Sequence, residues 1–130
     1  MFANLALATF MVGLTVAVHL GGLLGLLWVL RDRAHRIRAH ESRLVPLVVI
    51  LFVVLGLVAI HSVEIWLYGA AFWAIGAVAD FETALYFSTV TFTTLGYGDV
   101  VLEGNWRLFG AIEAGNGVIL RGGSEAIHSN

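Results

Sequence analysis

The first thirty residues contain no Asp, Glu, Lys or Arg. A bilayer-spanning helix needs about 20 predominantly apolar residues, so this run predicts a transmembrane helix over 1–30. It does not have the form of a secretory signal, which opens with a basic n-region and a short apolar core. The first basic residue here is Arg31. Composition agrees: 59% of the chain is hydrophobic and 12% charged, with a mean hydropathy of +0.90. A soluble domain is about 45–50% apolar and about 25% charged, so both departures point to a protein solvated by lipid. With no cysteine in the chain, disulfides, thiol redox chemistry and thiolate metal sites drop out of consideration.

The basic residues are all arginines, and five of the seven (Arg31, Arg33, Arg36, Arg38 and Arg43) fall within 31–43. Flanked by apolar runs, this segment reads as a short cytoplasmic loop that orients the chain, because cytoplasmic loops retain Lys and Arg. That places the N-terminus outside and the C-terminus inside. The lipid-like sequence on both sides argues against nucleic acid as a partner. The bilayer itself is the expected environment, and a multi-pass cell-membrane protein the expected class.

A second apolar stretch begins near Leu44, with Pro46 where a helix start tolerates it, and runs to about Tyr68. Glu64, Trp66, Tyr68 and Trp73 cluster at its far end, as in an interfacial aromatic belt. Gly69 and Gly76 suggest a turn at the membrane surface. Asp80 suits the N-cap of a short helix over 81–93, with Glu82 favoured in its first turn by the dipole. At 1.5 Å per residue this helix reaches about 18 Å, too short to span. It runs straight into Leu95-Gly96-Tyr97-Gly98, which continues a helix poorly. Irregular backbone at membrane depth is tolerated only where it is buried in protein or lines a wet cavity. The combination predicts a re-entrant loop.

A third apolar stretch spans 106–120. Arg121, Gly122 and Gly123 follow, then a short polar tail to residue 130. Helix over 106–120 covers about 22 Å, against a hydrocarbon core of about 30 Å. Two adjacent glycines weaken further helix. The expectation is a shortened third helix, with Arg121 reaching toward the inner headgroups. The predicted fold is therefore an all-α membrane protein of three transmembrane helices plus a re-entrant helix and an extended segment.

The run Thr93-Thr94-Leu95-Gly96-Tyr97-Gly98-Asp99, preceded by the Thr-rich 89–92, resembles the pore signature of potassium channels. The resemblance covers 44–120 and implies an outer helix, a pore helix (81–93), a selectivity filter (94–98) and an inner helix (106–120). The 1–30 helix is extra relative to the simplest two-helix channels and carries no arginine ladder of a voltage sensor. The resemblance implies that backbone carbonyls of Thr94, Leu95, Gly96 and Tyr97, with the Thr94 hydroxyl, replace the water shell of K⁺. Thr93, Gly98 and Asp99 support them. Carbonyls pointing one way require dihedrals of alternating hand, which Gly96 and Gly98 adopt without steric cost. Tyr97 is expected to turn from the pore and pack on Phe81, Tyr86, Phe87 and Phe92. Leu95 stands where Val or Ile is commoner, a mild variant. One chain supplies one filter strand, so a homotetramer is implied, with K⁺ as permeant ion and no organic cofactor. Some potassium channels pair a pore-helix glutamate with the filter aspartate. That position here is Val90, so Asp99 needs another donor, such as a nearby Trp or Tyr.

Several polar residues fall on apolar helices. Glu113, about 10 Å into the third helix, either lines the cavity together with Asn116 or bonds hydroxyls behind the filter, such as Ser88 or Thr91. Gly110, Ala114 and Gly117 form a small-residue stripe suited to packing on the pore helix. His19 reads as an interhelical hydrogen-bonding group. His61 and Glu64 share a face, and a metal site there needs further convergent ligands. No nucleophile–base constellation suggests an enzyme. Passive, selective K⁺ permeation is the leading function. The alternatives are a weakly selective cation channel and, because the third helix looks short, a non-conducting or regulatory subunit.

Overall fold

The computed structural model describes residues 1–37 and 43–128. Arg38 and the rest of 38–42 in the expected basic loop, and 129–130 of the tail, lie outside the described residues. The chain is all-helical, with no strand among the described residues.

Helix α1, Phe2–Ile37, has 36 residues and extends about 54 Å. It passes the predicted end at residue 30, so Arg31, Arg33 and Arg36 lie on its last turns rather than in a loop. Cations at a helix C-terminus are favoured by the macrodipole. Helix α2, Val45–Ala74, starts with Pro46 in its first turn, where a missing N–H costs nothing. It continues past the expected end at Tyr68. Gly69 stays helical because it packs against the Leu85 backbone, and the chain turns only at Gly76, whose φ is +72°. There the Ala77 and Gly76 amides bond back to the Phe72 and Trp73 carbonyls at 3.0 and 3.1 Å, closing the helix end around a left-handed glycine.

Helix α3, Phe81–Phe92, matches the predicted short helix. The Asp80 carboxylate accepts from the Thr83 amide and the Thr83 hydroxyl, both at 2.8 Å. These bonds hold its carboxyl below the ordinary value. A 3-10 turn, Gly104–Trp106, leads into helix α4, Arg107–His128, of 22 residues. Here the expectation of a shortened third helix ending at Leu120 fails: α4 runs straight through Arg121, Gly122 and Gly123, about 33 Å in all. Local glycine propensity loses to tertiary contacts on both sides of the pair, described below.

Two helices, Phe2–Arg36 and Val45–Ala74, are long and apolar enough to cross a membrane. They run antiparallel, with Gly22 of α1 under Ile60 and Gly56 of α2 under Leu26. Helix α4 runs parallel to α1: the Asn4 side chain donates to the Asn105 carbonyl at 3.0 Å near one end, and Asn116 donates to Thr15 at 2.6 Å further along. Helix α3 packs between α2 and α4. The core gathers Tyr68, Phe72, Phe92 and Phe109, all fully buried. The Phe72 ring lies 4.9 Å from Phe109 and 5.2 Å from Phe87, centre to centre, within the range of favourable aromatic pairs. The first half of α2 instead exposes Leu47, Val48, Ile50, Leu51, Val54 and Leu55, as a helix facing hydrocarbon does.

Candidate functional site

The segment after α3 is the most irregular backbone of the described chain. Its residues Thr94, Gly96 and Gly98 have φ of +61°, +57° and +75°, so left-handed conformations recur at every second position. Gly96 and Gly98 were expected to do this; Thr94 was not. A β-branched residue in this region is strained, and its surroundings hold it there. The Thr94 amide bonds the Thr91 carbonyl at 3.0 Å, and the Leu95 and Gly96 amides share the Val90 carbonyl at 2.9 and 3.1 Å. The Thr94 hydroxyl donates to the Thr93 carbonyl at 2.6 Å. The loop is thereby anchored on the last turn of α3.

Residues Thr93 to Asp99 are all exposed in the single chain. Leu95 is 59% and Tyr97 69% exposed. The expected packing of Tyr97 on the aromatics of α3 is not what the chain builds. Phe87 and Phe92 turn inward to Phe72 and Tyr68, and Phe81 lies against Trp66 and Trp73 at 6.0 and 5.9 Å. The apolar face of α3 is used against α2 and α4, which leaves Tyr97 on the outer side. Tyr86 does find the loop: its hydroxyl donates to Asp99 at 2.6 Å. The bond holds the Asp99 carboxyl below its ordinary value. This is the tyrosine donor that the absence of a carboxylate at Val90 called for.

Glu113 is fully buried and accepts from the Ser88 hydroxyl at 2.5 Å. This is the hydroxyl contact behind the loop that one of its two readings expected. Ser88 Oγ also lies 2.9 Å from the Ile65 carbonyl oxygen, bringing α3 against α2. Asn116, one turn on, bonds away from Glu113. Its amide donates to Thr15 on α1 and, at 2.9 Å, to the Tyr68 hydroxyl on α2. The small-residue stripe packs as expected: a Cβ on Gly117 would strike the Phe92 carbonyl, and one on Gly110 would press on Phe87 and Leu102.

Arg121 is where expectation and structure differ most. Instead of reaching for headgroups, it folds back along α4 and donates to the Thr93 carbonyl at 3.0 Å and to the Thr94 hydroxyl at 3.3 Å. Its Nε donates to the Gly117 carbonyl at 3.2 Å. Side chains on a helix lean toward its N-terminus, and the negative end of the α3 dipole attracts a cation. The guanidinium therefore caps α3 at the base of the 94–98 loop. Hydropathy could not reveal this, because the partner lies 28 residues away in sequence.

Residues 47–124 match the family described as ion channel. The chain belongs to this ion channel family. The matched region is a module of the two-helix potassium-channel type; it opens in the first turn of α2, takes in α3 and the 94–98 loop, and closes at Ser124 of α4. Helix α1 stands outside the matched region as an additional apolar helix packed on α2 and α4. Family membership and the apolar helices make the channel a membrane protein of ion transport, a transporter rather than an enzyme. No curated protein and no solved structure matches the chain.

Proposed function

We propose that four copies of this chain form a potassium-selective channel in the cell membrane, with the 94–98 segment of each copy as one wall of the filter. The observation that carries this reading is the alternation of left-handed residues at Thr94, Gly96 and Gly98 on an anchored, exposed loop. Alternating hand turns successive carbonyls toward one side, and rings of such carbonyls replace the hydration shell of K⁺. Carbonyls of Thr94, Leu95, Gly96 and Tyr97 supply the oxygens, and Asp99, ionised and held by Tyr86, sits at the outer end. The exposed Leu95 and Tyr97 favour assembly, since both would be covered by neighbouring copies around a four-fold axis. In this reading α3 is the pore helix, α2 the outer helix and α4 the inner helix. The arginines at the end of α1 lie inside, and the start of α1, joined to the loop after the filter by Asn4 and Asn105, lies outside.

One observation favours a second reading, a non-conducting or regulatory subunit. The motive is no longer a short inner helix but Arg121, whose guanidinium occupies the Thr94 hydroxyl and the base of the filter. Four such charges around the axis repel a cation arriving from inside. Flux through liposomes reconstituted with the purified chain decides. Potassium influx well above sodium, blocked by barium, is the expected result. Equal fluxes of the two ions would overturn selectivity. No flux from the parent chain, together with potassium flux from Arg121→Gln, would establish the second reading.

A further inference from the structure

Away from the filter, three side chains meet in the interior of the bundle. Glu64 of α2 is fully buried, and each of its two carboxylate oxygens faces an imidazole: Oε1 lies 2.9 Å from Nδ1 of His19 on α1, and Oε2 lies 2.9 Å from Nδ1 of His61 on α2. The three donor atoms lie within 4.8 Å of one another. The two rings are 5.4 Å apart, centre to centre. The charge of Glu64 has no arginine against it; its ion-pair partners among the described residues are these imidazoles, cationic only when protonated. A buried carboxylate is costly unless a cation or a full set of donors answers it.

We propose that Glu64, His19 and His61 form a binding site for a divalent transition metal of the zinc class. The donor set is two imidazole nitrogens and one carboxylate oxygen, which zinc takes in four-coordinate sites with an open fourth position. Ligand atoms about 2.0–2.2 Å from such an ion stand roughly 3.3 Å apart, so the two 2.9 Å contacts widen by a few tenths of an ångström, while the widest separation in the set, up to 4.8 Å, closes by up to about 1.5 Å as the side chains turn onto the ion. The outer contacts suit the same ion. A metal-bound histidine nearly always places its other ring nitrogen on a hydrogen-bond partner, which fixes the ring. His19 does so through Nε2, 2.9 Å from the Ser124 hydroxyl on α4. Ser124 also donates to the Leu120 carbonyl at 3.1 Å. On the other ligand, the His61 ring leans on Phe92 at 5.9 Å. Metal here would tie α1 to α2 directly and hold α4 through Ser124, one turn beyond Arg121. The proposal does not depend on which ion the pore passes.

The test is metal content and spectroscopy of the full chain, purified in detergent without a histidine tag. Zinc is measured by mass spectrometry, then removed by chelator and replaced with Co²⁺. About one metal per chain and the intense visible bands of four-coordinate cobalt are expected. Glu64→Gln and His61→Gln should each abolish the bands. Ser124→Ala should keep them while weakening affinity roughly 10–100-fold, as outer-contact changes do. The remaining histidines are His35, His40 and His128, and replacing all three with Gln should leave binding unchanged. A parent chain that takes up no metal overturns the proposal, and so do bands that persist in Glu64→Gln or vanish with the triple replacement. Should the Glu64 or His61 variants fail to fold, the triple replacement alone still decides.

Discussion

At the scale of single residues, the loop after α3 is governed by two contacts that oppose each other electrically. Tyr86 secures a negative charge at one end through Asp99, and Arg121 secures a positive one at the other through Thr93 and Thr94. The first has a pH signature. The Tyr86 bond lowers the Asp99 value below the ordinary 3.8. A lowered folded-state value contributes stability above the ordinary value and loses it as pH falls through the folded one. The melting-temperature gap between the parent chain and Tyr86→Phe should therefore persist from about pH 7 to about pH 4 and close only below that. A gap that closes near about pH 6 would implicate a histidine instead. Gly117 makes a second, sharper prediction. Its hydrogen faces the Phe92 carbonyl, with no room for a Cβ. Gly117→Val forces α3 and α4 apart and should cost about 1–3 kcal/mol or more, as overpacking does, read as a lower unfolding midpoint in denaturant. An unchanged midpoint would mean that the two helices do not approach as closely as described.

At the scale of elements, α3 and α4 show opposite relations between local signal and outcome. Helix α3 is written locally: Asp80 caps it, Glu82 sits in its first turn, and the glycines of the loop end it. Helix α4 persists where its own sequence advises a stop. Leu120 is buried in the core, Arg121 bonds across to α3, and Ser124 bonds His19 on α1. Gly122 and Gly123 sit between these anchors, exposed and with open space where a Cβ would go. Replacing both with Ala should therefore stabilise α4, by roughly 0.8–1.0 kcal/mol per site from propensity alone, measured as a higher melting temperature in detergent. A drop in stability would show that this glycine face packs against a neighbouring copy.

At the scale of the whole molecule, the antiparallel pair α1–α2 and the parallel pair α1–α4 place Asn4 and the turn leading into α4 on the same side. In the proposed topology, with the arginines of α1 inside, that side is extracellular. Cysteines at Asn4 and Ala39, treated with an impermeant thiol reagent on intact cells, should label at Asn4 only. Label at Ala39 and not at Asn4 would invert the proposed topology. The same arrangement leaves Arg31, Arg33 and Arg36 beyond the apolar span of α1. Steep voltage dependence needs about 3–4 gating charges per subunit within the field, so conductance should vary only weakly with voltage. A curve as steep as that of a voltage-gated channel would rule this out.

Hydropathy and motif by themselves determined the class of this protein: two long apolar helices, a short capped helix between α2 and α4, and a glycine-alternating loop of potassium-channel character. These are legible because each depends on residues near one another in sequence, through burial in lipid, capping geometry or the freedom of glycine at positive φ. The partners of the polar residues were not legible to the same degree. Asp99 needed a donor, and the structure chose Tyr86. Glu113 had several possible hydroxyl partners, and packing brings Ser88 to it. Asn116 joins Thr15, Arg121 joins Thr93, and His19 and His61 converge on Glu64. Only the tertiary structure decided these, because a buried polar group is committed to whichever partner the packing brings within about 3 Å. Most of those partners lie on another helix, too far along the chain for any local pattern to mark.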